Sequence, residues 1–569
     1  MSIIEGNTYN WRLPSPNPVA AKRFAEAAGI EPHLAHILMA RGVDSVADAH
    51  SFLDPSFDQI STPCILQGVG EAVALIEKAR SDGTKVLVYG DYDADGIAGT
   101  AILFRALQRF GVIDCCWDLP QRLEEGYGLH PDRVRAARDE GIGLIITVDN
   151  GSTAREACEA AQELGIDLIV TDHHQLGDQP SRPTVMINPM LETSDHPMAH
   201  ACGAVVAFKL AWALLDEPND LDLAALGTVA DVMPLTDENR AIVAQGLKQM
   251  RDDPRPGIAA LAHVAGLNLS ELTAEQIAFQ LAPRINAGGR MGDGKAGVAL
   301  LLSDSMDSAK SWAKRLDDDN KERRRIEAEM VKQAEKSLEK AGNGERKSIV
   351  LGRPEWHPGV LGIVASRVQS RYRLPTVLVG FDENGVGRGS ARSTDHVDLA
   401  QALAACKDHL IRFGGHKAAA GMTVAAESFE AFQERFEQEV TQMWPKEIVR
   451  PVLDIDMQAT LTSVDNRLVR ILDALEPVGA GNPPPLFACF GAYSPPLSRR
   501  ILKDAHLRLD LRDAKDGATC HTAIGFGMAD HLTMLDGAEF VDIVFTPKLN
   551  TWRGETTVQL QLKDIRPAS

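Results

Sequence analysis

The sequence predicts an α/β protein whose main domain is built on a parallel sheet, followed by a long helix, a second α/β lobe and a C-terminal β-domain. Three short apolar stretches, 85–90, 143–148 and 167–171, alternate with helical patterns in the first half of the chain. Strands that alternate with helices pair in parallel, because the crossover between them is right-handed. Residues 304–341 are strongly charged and almost free of glycine and proline, which is typical of a long, solvent-exposed helix.

Length and composition favour several folded domains without a membrane segment. The 569 residues, 44% of them apolar, suggest about four domains. We place the segments at 1–70 (a helical cap), 71–303 (the main α/β domain), 304–341 (the connecting helix), 342–448 (the second lobe) and 449–569 (the β-domain). The chain shows no signal peptide and no apolar stretch long enough to cross a bilayer. Its eight cysteines include no C-x-x-C pair, so we expect a reducing, cytoplasmic location.

The first acidic turn is the sequence DYDADG, from Asp91 to Gly96, after the apolar strand 85–90. A helical pattern follows from Ile97 to Phe110. Three carboxylates within this turn repel one another unless a cation lies among them, and divalent cations that prefer oxygen ligands suit such a turn. On this segment alone, an ordinary helix N-cap is the commoner explanation.

Two further strands end in polar residues of the same kind. The strands 143–148 and 167–171 lead into Asp149 and into an Asp-His-His motif, respectively. In a parallel sheet the carboxyl ends of the strands lie at one edge, where open α/β sheets bind their ligands. We therefore predict a metal site at this edge. Its candidate residues are Asp91, Asp93, Asp95, Asp149, Asp172, His173 and His174.

Asp231 is a lone charge in an otherwise apolar helical segment that Pro234 interrupts. A carboxylate in such surroundings is paired, protonated or bound to a metal, unless it is simply exposed at a helix end. Both interpretations stay open on the local sequence.

A glycine-rich stretch, residues 282–295, carries Arg284, Arg290 and Lys295. Arginine beside exposed backbone amides binds phosphate oxygens well, although a plain basic loop explains the same pattern.

The second lobe has the pattern of a smaller α/β domain, with strands at 347–351 and 376–381 and a helix at 360–371. Two small-residue motifs, 386–393 and 414–421, would allow a substrate to approach the backbone closely. Their hydrogen-bond donors are Ser390, Arg392, His416 and Lys417. Such donors suit phosphate or sugar, although a turn explains each of them singly.

The C-terminal region alternates apolar and polar residues, most clearly at 506–511 and 557–562. Short strands separated by turn residues predict a small β-barrel or sandwich of the kind that binds single-stranded nucleic acid. The pattern does not distinguish an OB-fold from another small β-domain.

Several motifs occur in order between residues 85 and 425: GDYDADG, PQRLEEGYGL, TVDNG, TDHH, GTVADVMPL, PRINAGGR, GRGSARS and GGHKAAAG. This set resembles the DHH phosphoesterase superfamily, and within it the bacterial RecJ family of single-strand-specific 5′-to-3′ DNA exonucleases. The resemblance implies a DHH domain, a DHHA1 substrate-binding lobe and a C-terminal OB-like domain. The chain departs from many DHH enzymes at Tyr89, because they have a histidine metal ligand at this place, four residues before the carboxylate of Asp93.

The resemblance implies a phosphodiesterase that uses two ions of Mn²⁺ or Mg²⁺. It makes Asp149 the ligand shared by both ions. The other ligands that it implies are Asp91, Asp93, Asp95, His173 and Asp231. Asp91 would either bind a metal or support the turn. His174 is implied to contact the scissile phosphate, and Asp172 to orient a histidine.

RecJ-like enzymes also hold a 5′-phosphate in a basic pocket. The residues that we assign to the 5′-phosphate and the strand are Arg122, Arg284, Arg290, His357, Ser390, Arg392 and His416. Because the formal net charge is −20, affinity for DNA has to come from local cations, and it should fall steeply as salt is added. A groove between the lobes would admit one strand and exclude a duplex.

The activity implied by the resemblance is release of 5′ mononucleotides from single-stranded DNA, in recombination and repair. Expected partners are single-stranded DNA, a single-stranded-DNA-binding protein and a RecQ-type helicase, with the protein a monomer. One alternative is a DHH phosphodiesterase acting on short oligonucleotides or cyclic dinucleotides, and another is a non-catalytic replication scaffold. An inorganic pyrophosphatase of the same superfamily is disfavoured by chain length, Tyr89 and the end-pocket arginines.

Overall fold

The computed structural model describes residues 2–15, 17–121, 126–341, 346–445, 450–513, 517–552 and 554–568. The chain forms two compact units. The larger comprises Ser61–Met233 and Gln245–Glu447, and the smaller comprises Met1–Ile60, Pro234–Ala244 and Ile448–Ser569. None of the helices in the described segments is long and apolar enough to cross a membrane.

The larger unit contains the parallel sheet that the sequence predicts. In space its strands lie in the order Cys115–Asp118, Lys85–Tyr89, Ile142–Val148, Asp167–Thr171 and Val185–Ile187. Every neighbouring pair is parallel. The central three strands are almost wholly buried, as their continuous apolar sequences require. The predicted parallel pairing is therefore confirmed.

Helices cover both faces of this sheet. Val134 and Ala157, from the helices Pro131–Asp139 and Arg155–Leu164, pack with Leu87 on one face. The helices on the opposite face are Ala94–Phe110, Gly203–Leu215 and Leu221–Ala230. Since both faces are covered, the carboxyl ends of the strands are the natural place for a polar site.

Val69–Asp82 precedes the first strand of the sheet and packs beside Gly203–Leu215. The remaining helices before the second lobe are Asp237–Asp252, Pro256–Ala265, Ala274–Gln276, Ala282–Met291, Lys295–Leu301 and Met306–Ala341, with a π-helical turn at Ile277–Leu281. The plain basic loop that was one interpretation of 282–295 is not found over Ala282–Met291, which is helical. Glycines in this helix permit close packing, because a Cβ on Gly289 would lie 2.6 Å from the carbonyl oxygen of Tyr92. Such a tertiary contact does not show in a local glycine pattern.

The connecting helix spans Met306–Ala341, but it is not simply solvent-exposed as expected. Its Met330 belongs to the core of the second lobe. Glu327 is also buried and pairs with Arg323 at 2.9 Å and with Arg367 at 2.6 Å. A charged sequence can enter a core when its charges are paired, which the sequence pattern alone does not reveal.

The second lobe is a five-stranded mixed sheet in the order Arg412–Gly415, Ala419–Ala425, Val386–Arg392, Thr376–Phe381 and Ile349–Arg353. The last two strands are parallel, and the other neighbours are antiparallel. Its helices are Leu361–Tyr372, Leu399–Ala405 and Phe429–Met443. Phe432 and Phe436 of the last helix pack with Val379 and Ala391 of the sheet.

The smaller unit contains a closed β-sheet. Its strands follow the order Met457–Gln458, Phe487–Tyr493, Phe540–Trp552, Glu555–Pro567, Cys520–Gly525, His506–Arg512 and Arg500–Leu502. A further pairing of Tyr493 with Arg512 closes the sheet around a core that includes Leu509, Phe545 and Leu560. This is the small β-barrel that the alternating pattern predicts.

The N-terminal region is not the all-helical segment expected. Ser2–Glu5 and Asn10–Leu13 form two strands, and the second pairs in parallel with Val452–Asp454. Helices follow at Pro18–Ala28, Pro32–Ala40 and Val46–Leu53, and later ones at Asn466–Leu472 and His531–Met534. The two strands also pair with each other as a short antiparallel hairpin, and only the pairing with Val452–Asp454 is distant in sequence.

Candidate metal centre

The strand ends bring the predicted acidic and imidazole residues together. Asp91, Asp149 and Asp172 follow three neighbouring strands, and Asp231 joins them from the end of the helix Leu221–Ala230. Three sets have ligand atoms within 4.8 Å of one another: Asp91 with Asp93 and Asp149, Asp95 with His173 and Asp231, and Asp149 with His173 and His174. All the predicted metal ligands therefore lie in one cluster.

Asp149 belongs to two of these three sets. It is buried, and its φ of 61° is uncommon for a residue other than glycine. Its Oδ1 atom accepts no hydrogen bond and lies 3.1 Å from Nε2 of His173. Burial, and then the charges of Asp95 and Asp93, raise the pKa of Asp149 well above its usual value. Its ionised form therefore needs a cation nearby.

Asp93 and Asp95 are both oriented by backbone amides. Oδ1 of Asp93 accepts hydrogen bonds from the N–H groups of Asp95 and Gly96, so Asp93 is a helix N-cap. Asp95 accepts from the N–H groups of Gly203 at 2.7 Å and Ala204 at 2.9 Å, at the positive end of another helix. The N-cap and metal-ligand interpretations are compatible, because a carboxylate has about four acceptor sites.

His173 lies among three carboxylates. Its Nε2 atom is 3.1 Å from Asp149, 3.5 Å from Oδ2 of Asp231 and 3.8 Å from Asp95. Burial lowers the pKa of His173, which favours the neutral imidazole that binds metals. Oδ2 of Asp231 is buried without a hydrogen bond, and burial followed by the charge of Asp95 raises the pKa of Asp231 to about 8.

Asp172 and His174 form a charged pair at the edge of the cluster. Nδ1 of His174 lies 2.8 Å from Oδ1 of Asp172, whose other oxygen accepts from the N–H of Ser152. Burial opposes both charges, but the mutual hydrogen bond outweighs it, so the pKa of Asp172 falls to about 2 and the pKa of His174 rises to about 9. Tyr127 lies 3.0 Å from the same Nδ1 and donates to the carbonyl oxygen of Asp149.

This pair should make the stability of the metal-free protein depend on pH. The pKa of His174 is raised from 6.5 to about 9, so its contribution is complete below pH 6.5 and is lost as pH rises towards 9. The pKa of Asp172 is lowered from 3.8 to about 2, so its contribution holds above pH 3.8 and is lost towards pH 2.

We therefore expect the Tm of the metal-free protein to fall as pH rises from 6.5 towards 9. The substitution Asp172→Asn should reduce that fall. Thermal unfolding followed by circular dichroism in the presence of a chelator measures both. An identical pH slope in wild type and Asp172→Asn would contradict the pairing.

Several residues that support the site were not singled out from the sequence. Tyr127 lies within the motif EEGYGL, and Asn286 accepts a hydrogen bond from the N–H of Ala94 at 2.6 Å. Glycines matter as well, because a Cβ on Gly203 would lie 2.6 Å from Cβ of Asp149. A Cβ on Gly227 would similarly collide with Oδ1 of Asp95. Glycine inside an apolar helix was the available signal for both.

The residues assigned to the 5′-phosphate lie in two adjoining groups. Arg290 donates to the carbonyl oxygen of Gly359, and the N–H of Gly359 donates to His357. Arg392 donates to Oγ of Ser390 at 3.1 Å, and a Cβ on Gly362 would lie close to both side chains. The two groups therefore meet at the start of the helix Leu361–Tyr372.

The other three residues assigned to the 5′-phosphate and the strand are His416, Arg284 and Arg122. His416 is exposed, and its N–H donates to the carbonyl oxygen of Ala419. Arg284 does not have a free guanidinium for the strand, because it donates to Asp317 at 2.8 Å and to the carbonyl oxygen of Gln280. Its assignment to the strand stays a prediction, with Asp317 as a competing partner for the guanidinium. Arg122 lies outside the described residues.

The donor set fits a hard divalent cation. The site offers carboxylate oxygens and two imidazoles, with no cysteine among the three sets. Such donors suit Mn²⁺ and Mg²⁺ rather than softer ions. The buried, unbonded oxygens of Asp149 and Asp231 and the raised pKa values of both groups indicate where positive charge is needed.

Comparisons with known proteins match the architecture domain by domain. The DHH family N-terminal domain matches residues 85–230, the DHHA1 domain 346–442 and the RecJ OB domain 455–564. The single-stranded-DNA-specific exonuclease RecJ of Escherichia coli is 33% identical over 565 residues, which cover 95% of this chain and 96% of that protein. This chain belongs to the RecJ family. The RecJ protein of Thermus thermophilus is 36% identical over 565 residues, which cover 98% of this chain and 78% of that protein.

Solved RecJ structures agree with this assignment. The crystal structure of Thermus thermophilus RecJ in complex with Mn²⁺ has a TM-score of 0.82 at 33% identity, and the match covers 98% of this chain and 80% of that one. The corresponding Mg²⁺ complex has a TM-score of 0.77 at 31% identity, with 98% and 78% covered. The DHH, DHHA1 and OB-like domains expected from the sequence are confirmed.

Tyr89 occupies a core position in this member of the RecJ family. Its side chain is buried and packs with Leu87, Leu129 and Val170. It therefore belongs to the apolar layer under the helices rather than to the cluster of acidic groups. The position that is a histidine ligand in many DHH enzymes is here part of the core.

Proposed function

We propose that this RecJ-family protein is a metal-dependent exonuclease that degrades single-stranded DNA from the 5′ end and releases 5′ mononucleotides, in recombination and repair. The observation that carries this proposal is the gathering of Asp149, His173 and Asp231 around buried oxygens without hydrogen bonds. Relatives that match nearly the whole chain are named single-stranded-DNA-specific exonucleases. The complete ligand set disfavours a non-catalytic scaffold, and the OB-like domain disfavours very short substrates.

The proposed ligands of two Mn²⁺ or Mg²⁺ ions are Asp91, Asp93, Asp95, Asp149, His173 and Asp231, with Asp149 shared. When bound, such a pair of ions polarises the phosphate, lowers the pKa of water and stabilises the leaving oxygen. The protein contributes preorganisation. Asp95 is fixed by the amides of Gly203 and Ala204, and Asp149 by its left-handed backbone, so their oxygens face one space before substrate arrives.

His174 is proposed to contact the scissile phosphate. Its Nδ1 is engaged by Asp172 and Tyr127, and its side chain is 45% exposed, so Nε2 is the nitrogen left for a substrate. Asp172 keeps the imidazole protonated and fixes its orientation, as the pKa of about 9 for His174 indicates. A cationic N–H aimed at a phosphate oxygen stabilises the charge that develops there.

Recognition of the 5′-phosphate is assigned to the groups at the start of the helix Leu361–Tyr372. Arg290 and His357 form one of them, and Ser390 with Arg392 forms the other. Arg122 and His416 complete this proposed substrate-binding set. Because a groove wide enough for one strand excludes a duplex, a blunt duplex should be cut far more slowly than a single strand.

The test uses single-stranded DNA labelled at either end, with Mn²⁺ and with Asp149→Ala as the inactive control. We expect wild type to release the 5′ label at once as a mononucleotide and the 3′ label only after long digestion. Early release of the 3′ label would overturn the polarity. No Mn²⁺-dependent hydrolysis by pure wild type would instead favour the scaffold, and faster cleavage of a dinucleotide than of a long strand would favour the short-substrate alternative.

We further propose that the protein acts as a cytoplasmic monomer and works with a single-stranded-DNA-binding protein and a RecQ-type helicase. Its acidic overall charge supports reliance on such partners, because the chain has no global basic surface to concentrate it on DNA. Analytical ultracentrifugation tests the monomer. Stimulation of digestion of coated or partly duplex DNA tests the partners.

A further inference from the structure

A wide cleft runs beside the metal centre within the larger unit. Its volume is about 1130 Å³. One wall is formed by residues around the first turns of the helices Pro131–Asp139 and Arg155–Leu164, and the other by strands of the second sheet. Tyr127, which contacts His174 and Asp149, lies in the first wall, so the cleft opens directly from the proposed catalytic site.

Two arginines of the sheet wall lie in one cross-strand row. Arg388 and Arg412 are both paired with Thr423, one from each side. Residues directly opposite in neighbouring strands share one face of a sheet, so the three side chains project together. Both arginines are exposed.

This row continues the proposed 5′-phosphate site. Arg388, Ser390 and Arg392 alternate along one strand and therefore share a face. The row of Arg388 lies about 7 Å from Ser390, at roughly 3.3 Å per residue. Neighbouring phosphates of an extended single strand are separated by a similar distance.

Open space lies on the sheet between the row of Arg388 and the row of Arg392. The intervening row consists of Ser390, Gly421 and Gly414. A Cβ on Gly414 would meet no atom within 4 Å, and one on Gly421 would meet only the carbonyl oxygen of Gly389, at 4.0 Å. A nucleic-acid backbone could therefore lie directly on this part of the sheet.

The charge of the cleft favours a polyanion. Its lining includes Arg155, Arg388 and Arg412 against Glu156 and Glu159, in a chain whose formal net charge is −20. Arg155 already pairs with Glu159 at 2.8 Å. Both acidic residues of the described lining, Glu156 and Glu159, belong to the wall that carries Arg155, and the two arginines of the sheet wall face them across the cleft.

We infer that Arg388 and Arg412, with Thr423 between them, form a second phosphate-binding subsite, one row beyond Ser390 and two rows beyond Arg392. It binds a further phosphate of the nucleic acid that the proposed function places in the cleft. That phosphate comes either from the strand itself or from a 5′-polyphosphate end, and both present the same oxygens to the guanidinium groups.

The test compares wild type with the double variant Arg388→Gln/Arg412→Gln. A matched control, Arg23→Gln/Arg138→Gln, removes two exposed arginines elsewhere. The measured quantities are kcat and KM with Mn²⁺ on 5′-phosphorylated oligothymidines of increasing length, at several salt concentrations. We expect KM to rise roughly tenfold with kcat unchanged, as for removal of charge-assisted hydrogen bonds. The slope of log(kcat/KM) against log[salt] should become shallower by about 0.7 for each phosphate that the variant no longer binds.

Two substrate arms identify the source of the phosphate. If the phosphate belongs to the strand, kcat/KM of wild type should increase when the oligothymidine becomes long enough to reach the subsite. The double variant should not show this increase. If it belongs to the 5′ end, the decrease in kcat/KM is larger for a 5′-triphosphate strand than for a monophosphate strand of equal length. Arg388→Lys/Arg412→Lys should restore the salt slope.

A salt slope and length profile equal to those of the control variant would overturn this inference while leaving the exonuclease intact. Failure of wild type itself to degrade any of the strands would instead be a failure of the proposed function.

Discussion

Replacing Asp149 by asparagine should abolish hydrolysis and, in the metal-free protein, raise the Tm. Asparagine is isosteric and tolerates the left-handed backbone at this position. It neutralises the carboxylate that we propose both ions share, and loss of several kcal/mol of charge stabilisation corresponds to a rate decrease of at least about a thousandfold. It also removes a carboxylate that is buried among Asp95, Asp93 and Asp91.

The stability change has a defined dependence on pH. The pKa of Asp149 is raised in the folded state, so the ionised carboxylate lowers the free energy of unfolding at pH values above its pKa in the unfolded chain. At acid pH the carboxyl group is protonated in both states and has no such effect. The difference in metal-free Tm between Asp149→Asn and wild type should therefore be positive near neutral pH and vanish towards pH 4.

Differential scanning calorimetry with chelator and then with Mn²⁺ measures both effects. Wild type should be stabilised by Mn²⁺, and Asp149→Asn should lose most of that shift. Asp304→Ala, which removes an exposed loop carboxylate, should behave as wild type in both conditions. A full Mn²⁺ shift in Asp149→Asn would place the metal elsewhere.

Gly203→Ala should disable the site without unfolding the protein. The new methyl group would lie 2.6 Å from Cβ of Asp149 and 2.8 Å from its Oδ1, so either the carboxylate or the start of the helix has to move. The helix start also holds Asp95 through the N–H of Gly203. Displacement of reacting groups by about 1 Å costs on the order of a hundredfold in rate, so we expect kcat/KM to fall by at least that factor.

Apparent Mn²⁺ affinity should weaken as well, by roughly ten- to a hundredfold. Activity titrated against Mn²⁺ and Mn²⁺ binding followed by electron paramagnetic resonance provide separate readouts. Gly70→Ala is the matched control, because Gly70 is an exposed helical glycine whose Cβ would meet nothing within 4 Å. It should be neutral or stabilising by up to about 1 kcal/mol. Wild-type activity and metal affinity in Gly203→Ala would show that the helix start yields without moving Asp149.

Much of the site could be predicted because it follows from local signals and one topological rule. Apolar strands that end in acidic turns were visible around Asp91 and Asp149, and parallel pairing brings their ends together. The support of the site was less visible. Gly203 and Gly227 matter through atoms of residues distant in sequence, so nothing local distinguished them from ordinary helical glycines.

The regions where sequence reasoning failed share the same cause. The helix that contains 282–291 packs its Gly289 against the backbone of Tyr92, and the buried Glu327 pairs with Arg367 of the second lobe. The strand Asn10–Leu13 lies between Ser2–Glu5 and the distant strand Val452–Asp454. Each of these features depends on a contact with residues that are distant in sequence and that only folding brings close.

By itself the sequence determined the alternation of strands and helices in the parallel sheet, the acidic strand ends and the alternating strands of the C-terminal domain, because periodicity and turn chemistry act over a few neighbouring residues. The tertiary structure alone decided which side chains face one another. It placed Asp231 against His173, Arg284 on Asp317, and the row of Arg388 and Arg412 opposite Arg155. The physical reason is that a charge's partner is set by distance in space, and distance along the chain does not report it.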